Sequence, residues 1–182
     1  TQVLSVSAGF LVLAENNSRL LVGRMDGLTR VSLPPNLPWM SQFGRIAVDH
    51  NSTTLGAVDG TGENLYALTC NFDSVTPTCS PVANVAISPP LGSPSAVVMM
   101  AGQLWAGGSG GLVHWRIGST ACAHLLRSER VAAVASRPPR AGSFDAEVAA
   151  GSVDKLWLFD VAGGTPILKR FEWTTDVVSA RG

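Results

Sequence analysis

Little in this sequence is charged, no stretch of it is long and continuously apolar, and almost none of it follows the 3.6-residue period of a helix. Charged residues are 14% of the 182-residue chain, against about 25% in a typical domain. Thirteen basic residues balance thirteen acidic ones with no run of one sign, so neither nucleic acid nor an anionic membrane is an expected partner. The surface must then be built largely from Ser, Thr, Gly, Asn, Pro and small apolar residues, which fits a secreted protein or one packed in an assembly. The longest apolar runs, Ala96–Ala101 and Val131–Ala135, have strand length and fall short of the ~20 residues that span a bilayer. Cysteine is scarce, with three residues and no Cys-x-x-Cys pair to suggest zinc.

An initiator Met and a charged-then-apolar leader are also missing, so a chain opening at Thr1 reads as a processed product or a segment of something longer. An N-terminal Thr can act as a nucleophile, but nothing after Thr1 supplies a base or an oxyanion hole. Disorder is excluded by the opposite property. A hydrophobic content of 46% is enough to offset ordering entropy, and the length suits one domain or part of a larger one.

What the sequence does have is punctuation. Nineteen Gly and eleven Pro separate apolar stretches of four to eight residues, which favours strands over helices. Strands are expected at 3–6, 10–13, 20–22, 28–31, 45–48, 55–58, 65–68, 96–100, 104–106, 112–116, 131–135, 147–150, 156–160 and 167–172. So many short strands joined by Gly, Asn-Ser and Asp-Gly turns describe a sandwich, a barrel or a propeller.

Internal repetition separates these. Four strand, small-residue turn, strand hairpins superpose at 20–31, 55–68, 104–115 and 147–159, anchored on Leu28, Leu65, Leu112 and Leu156. The mean spacing, near 43 residues, is that of one four-stranded propeller blade. Ile46–Val48, Ala96–Val98 and Val131–Val134 precede three of the hairpins as short strands of small and β-branched residues, suited to the crowded innermost position. Val177–Ala180 reads as the same strand of a further blade, cut off at Gly182.

Leu104-Trp-Ala-Gly-Gly-Ser-Gly-Gly-Leu-Val-His-Trp115 resembles the repeat element of two-component-regulator-type propellers. Val148-Ala-Ala-Gly-Ser-Val-Asp-Lys-Leu-Trp-Leu-Phe-Asp160 is similar to the WD40 blade element in its Asp154, Leu156 and Trp157, although the Gly-His and Trp-Asp dipeptides of a strict WD40 repeat are absent. The resemblance covers the hairpins, about a third of the chain. It implies an all-β fold, a partial β-propeller of about four blades, as a single repeat domain over 1–182.

Candidate chemistry is sparse. Gly107-Gly-Ser-Gly-Gly111 has the composition of a phosphate loop, but that use needs a following helix and usually a Lys, and a tight turn is preferred. Asp59-Gly-Thr-Gly-Glu-Asn64 alternates oxygen ligands as a calcium loop does, yet lacks a third acidic position and the terminal bidentate Glu. His50, His114 and His124 show no ligand spacing. Asp49-His50 among Ser and Thr residues permits a hydrolase site, whose geometry no sequence displays; a turn is preferred there. No catalytic, metal-binding or cofactor-binding residue is assigned. Trp105, Trp115, Trp157, Trp173 and Phe159 are read as packing between blades, with an aromatic ligand platform as the alternative.

The compartment leaves clearer marks. Asn16-Asn-Ser18 and Asn51-Ser-Thr53 are N-glycosylation sequons in predicted turns, with Asn16 and Asn51 as acceptors. Cys70 and Cys79 bracket a polar, Pro-containing segment read as an exposed loop, and a disulfide between them would contribute roughly 2–3 kcal/mol. Cys122 is left as a buried thiol or the partner of a cysteine elsewhere. The leading expectation is a non-catalytic interaction or structural module, secreted or at the cell surface, completed by a protein partner, by more of a longer chain or by further copies. The alternative is an extracellular enzyme, a lyase, glycosidase or oxidoreductase, with its site at the channel mouth. A β-sandwich, with the spacing a coincidence, is the third reading.

Overall fold

The computed structural model describes residues 2–7, 10–15, 19–24, 27–31, 43–49, 53–71, 78–137, 146–161 and 165–173. Sixteen strands fall into four antiparallel four-stranded sheets, each built from strands consecutive in the chain. Blade 1 holds β1 (Gln2–Ser7), β2 (Phe10–Glu15), β3 (Arg19–Arg24) and β4 (Gly27–Val31). Blade 2 holds β5 (Phe43–Val48), β6 (Thr54–Asp59), β7 (Asn64–Asn71) and β8 (Thr78–Ala86). Blade 3 holds β9 (Pro94–Met100), β10 (Gln103–Gly108), β11 (Gly111–Arg116) and β12 (Ala123–Arg127). Blade 4 holds β13 (Ala133–Arg137), β14 (Glu147–Gly151), β15 (Lys155–Asp160) and β16 (Ile167–Trp173).

The first strands of successive sheets adjoin in chain order, β1 to β5 to β9 to β13. That places the small and β-branched segments Ile46–Val48 and Ala96–Val98 on innermost strands, while the innermost strand of blade 4 begins at Ala133, two residues later than the expected Val131–Val134, and the all-β fold is a partial propeller of about four blades. The middle strands of blade 3 are covered on both faces, which is why they read as continuous apolar runs rather than alternating ones. β10 and β11 are buried from Gln103 to Trp115. Outermost strands are wetter: β8 buries only Cys79 and Val85 of its nine residues.

Among the described residues, two cores fill wedges between blades. Between blades 2 and 3, Leu65, Ala67 and Val85 meet Leu104, Val113 and Trp115. Between blades 3 and 4, Met100, Trp105 and Leu112 meet Val148, Ala150, Trp157 and Phe159. Trp105 and Phe159 lie 5.7 Å apart between ring centroids, tilted by 49°. Each fully buried large apolar side chain contributes roughly 1.5–3 kcal/mol, so these wedges, more than any turn, hold the sheets in order.

The third strands start at residues 19, 64, 111 and 155, giving intervals of 45, 47 and 44. The segments 55–68, 104–115 and 147–159 are second-to-third strand hairpins. Leu20–Val31 is also a hairpin, but it joins the third strand to the fourth. Its Leu28 anchor therefore sits one strand later than Leu65, Leu112 and Leu156, which shortens the interval from Leu28 to Leu65 to 37 residues. Val177–Ala180 lies outside the described residues.

Candidate interaction face

Three of the polar residues singled out in the sequence, Asp49, Asp59 and His114, are engaged in holding turns and strands. Asp49, 5% exposed, follows β5 and reaches into the next blade. There Oδ1 accepts the Ala101 N–H at 3.1 Å and Oδ2 the Gly102 N–H at 3.0 Å. Those two residues form the β9–β10 turn at positive φ, 51° and 72°, so the carboxylate closes a tight turn across the blade boundary. His50 lies outside the described residues.

Asp59 closes the neighbouring turn in the same manner. Oδ1 accepts the Thr61 hydroxyl at 3.1 Å and the Glu63 N–H at 2.8 Å, while Oδ2 accepts the Asn64 side-chain amide at 2.8 Å. Its carboxylate is turned toward three donors, an arrangement that suits a capped turn. Tyr66 nearby has its hydroxyl pushed above the usual range by burial and then by the Asp59 charge.

His114 is 6% exposed and pairs with Gln103 Oε1 at 2.8 Å, its ring 4.7 Å from that of Trp105. Burial lowers its pKa to about 4, so the imidazole is neutral at pH 7. His124 is lowered by burial and the Arg127 charge, with a backbone contact to Ser88 opposing. Gly107–Gly111 spans the end of β10, the turn and the start of β11. No group of three or more His, Cys, Asp or Glu side chains with metal-binding geometry occurs among the described residues.

Cys70 and Cys79 face each other across β7 and β8 and are joined in a disulfide. They therefore lie within strands that continue past the loop boundaries expected from sequence. Cys122 is a free, half-buried thiol whose pKa burial raises, with Sγ 3.7 Å from the Ala86 carbonyl. Asn16 and Asn51 lie outside the described residues, in the intervals between β2 and β3 and between β5 and β6. No helix among the described residues is long and apolar enough to cross a membrane.

The feature that sequence reasoning missed is a face. In blade 3 the side turned toward blade 4 carries Met100 and Gln103, then Trp105 and His114, then Gly107 and Leu112, in cross-strand rows. All of them are buried. The matching rows in blade 4 are Arg137, Glu147 and Asp160, then Ala135, Ala149 and Leu158, then Ala133, Gly151 and Leu156. Here Ala133 and Ala135 are exposed, and Leu156 is 39% exposed where its counterpart Leu112 is at 0%. One end of the face is polar and internally neutralised. Arg137 pairs with Glu147 at 2.5 Å, and Lys169 lies 3.0 Å from Asp160 and 3.7 Å from Glu147. Five of the six large apolar side chains exposed among the described residues, Val153, Leu156, Ile167, Leu168 and Phe171, belong to blade 4 or its turn.

This architecture defines a propeller, and solved structures agree. The chain superposes over 94% of its length on 50% of a chain in the crystal structure of the Mitotic Checkpoint Complex, with TM-score 0.57 and 12% identity. It superposes over 93% of its length on 58% of Kluyvelomyces marxianus Hsv2, with TM-score 0.58 and 8% identity. Both are WD40-type propellers, and this chain spans only about half the length of each. No protein-family model matches the chain, and no curated protein matches its sequence.

Proposed function

We propose that this chain is a non-catalytic interaction or structural module, a single repeat domain within a larger propeller assembly, and that the assembly is secreted or displayed at the cell surface. The observation that carries the reading is the contrast between Leu112 and Leu156. Equivalent positions on consecutive blades are at 0% and 39% exposure, so blade 4 offers an apolar sheet face of the kind that blade 3 has covered. Contiguous apolar surface of this sort marks a site of association, and an outermost strand such as β16, which pairs with β15 at one edge of its sheet, is the kind of element that other chains can extend. The neighbours' WD40-type architecture supports the same reading, and Asp49, Asp59 and His114 act as structural groups rather than a reacting set.

Two measurements test it. The native particle should hold more protein than one 19.0 kDa chain; a well-folded, freely soluble monomer overturns the module reading. The disulfide and the two sequons support the secretory placement, and treatment with an N-glycosidase should lower the intact mass through Asn16 or Asn51. An unchanged mass removes that part of the proposal.

A further inference from the structure

We infer that Cys122 and His124, at the outer edge of blade 3, form a clasp onto blade 2 that opens in mild acid and uncovers the Cys122 thiol.

The clasp joins two segments at two points. The Cys122 S–H donates to the Ala86 carbonyl at 3.7 Å, and the His124 ring lies against the backbone of Ser88. Ala86 ends β8 and Ser88 follows in the connection to β9, so both contacts cross from blade 3 to blade 2. Residues two apart in an extended segment share a face, which lets one short stretch of each blade make both. Cys122 also packs against the core between these blades, and His124 pairs in register with Val113, a member of that core.

His124 is poorly placed to carry a charge. Both ring nitrogens are shut off from solvent, and neither makes a hydrogen bond of ordinary geometry among the described residues. A protonated ring has two donors to satisfy, and the surroundings offer little. β11 presents Val113, the β8–β9 connection presents the Ser88 backbone, and the segment itself presents Cys122 and Arg127. Burial first and the Arg127 charge second lower the pKa of the ring, with the Ser88 backbone opposing. Glu63, whose carbonyl accepts the Ile87 N–H beside the clasp, is not among the charges that act on the ring. The open form therefore takes up a proton more readily than the closed one, and falling pH shifts the balance toward opening. That shift falls in the range where histidine serves as a switch.

β12 is the element such a charge can release. It is the outermost strand of its sheet, it pairs with β11 at four positions, and a bulge interrupts the pairing at Leu125. Gly118 before it and Ser128 after it hold positive φ, 88° and 63°, and a Cβ at Gly118 would meet nothing within 4 Å. An edge segment of this kind opens at lower cost than the core it borders, here the fully buried Trp115 and Val113. The other buried histidine, His114, faces blade 4 and titrates at about 4, below the pH at which the clasp lets go. In the closed state burial raises the Cys122 pKa, and opening removes that cause.

Thiol labelling of the full 182-residue chain with 4,4′-dithiodipyridine is the test, each rate divided by that of N-acetylcysteine at the same pH. Because Cys70 and Cys79 are joined, Cys122 is the free thiol that reports. The rate ratio should rise at least about threefold between about pH 7.5 and about pH 5, while amide protection in β10 stays unchanged. His124→Gln, which keeps a donor but cannot charge, should abolish the rise. Arg127→Gln should reduce it by removing the like charge, and this variant carries the test alone if His124→Gln does not fold. A ratio that stays flat in the native chain overturns the inference. So does a rise that persists in His124→Gln, one undiminished in Arg127→Gln, or one accompanied by loss of protection in β10, which would be global unfolding.

Discussion

A single carboxylate at the blade boundary does more for this fold than its position in a turn suggests. Asp49 accepts two backbone N–H groups from a β-turn 52 and 53 residues away, in a site only 5% exposed. Removing it leaves two donors without their charged acceptor, and such bonds are worth about 1.5–3 kcal/mol each before relaxation. Asp49→Ala should therefore lower unfolding free energy by about 3 kcal/mol in urea titration, and Asp49→Asn by less, since one acceptor oxygen remains. A loss under about 0.5 kcal/mol for the Ala variant would show that the turn closes without it. His114 gives a second prediction at this scale. Its folded pKa near 4 lies below the unfolded value of about 6.5, so between those values the unfolded chain holds more protons. Stability is then complete above pH 6.5 and falls as pH drops toward 4, by about 3 kcal/mol in all. A His114 ring that titrates near 6.5 by NMR in the folded protein would contradict this. Neither role was legible locally: Asp49 looks like any turn residue until its partners beyond residue 100 are known, and His114 gains its neighbour Gln103 only through strand register.

At the level of strands and hairpins, much of the fold was readable and the gaps have a common cause. The expected strands coincide with β1 to β7, β9 to β11 and β13 to β16, because covered strands carry the unbroken apolar runs that a pattern search detects. The missing ones, β8 and β12, are outermost strands. β8 contains Pro81 and exposes most of its residues, and β12 exposes Ala123 and Arg127 at its ends, so their pairing comes from the neighbouring strand rather than from their own composition. The same weakness shifted the first repeat by one strand, since Asp26-Gly27 is a stronger turn signal than Asn16-Asn17. Two element-scale predictions follow from register. Gly111 opens β11 at φ 134°, and a Cβ there would lie 1.7 Å from the Leu126 carbonyl oxygen on β12; Gly111→Ala should cost at least about 3 kcal/mol. Gly118→Ala, also at positive φ but facing open space, should cost only about 1 kcal/mol. Equal losses in thermal unfolding would mean that β12 moves aside freely. The disulfide joins opposed residues on β7 and β8 and closes a short loop, so Cys70→Ser with Cys79→Ser should lose roughly 2–3 kcal/mol, read as a lower urea midpoint at unchanged slope.

On the scale of the whole molecule, coverage rather than sequence repetition sets which blade is firm. Blade 3 lies between two packed cores and contributes Leu104, Trp105, Leu112 and Trp115, all at 0% exposure, to one or the other. Blade 4 has Trp157 and Phe159 buried on the face toward blade 3 and, on the other face, a partly open strip of half-buried Ala149 and Leu158 with exposed Leu156. Local opening free energy tracks buried apolar contact, so amide exchange should be slowest in β10 and β11, faster in β14 and β15, and fastest among these blades in β13 and β16. If a second chain seats on the open strip, its coverage adds to blade 4 and leaves blade 3 unchanged. Exchange in β13 to β15 should then slow as protein concentration rises through the association range, while β10 and β11 stay constant. Hydrogen-exchange mass spectrometry at several concentrations separates these contributions. Uniform protection across blades 3 and 4 at the lowest concentration would mean that the uncovered face costs the molecule nothing, and the physical case for a partner at that face would fail with it.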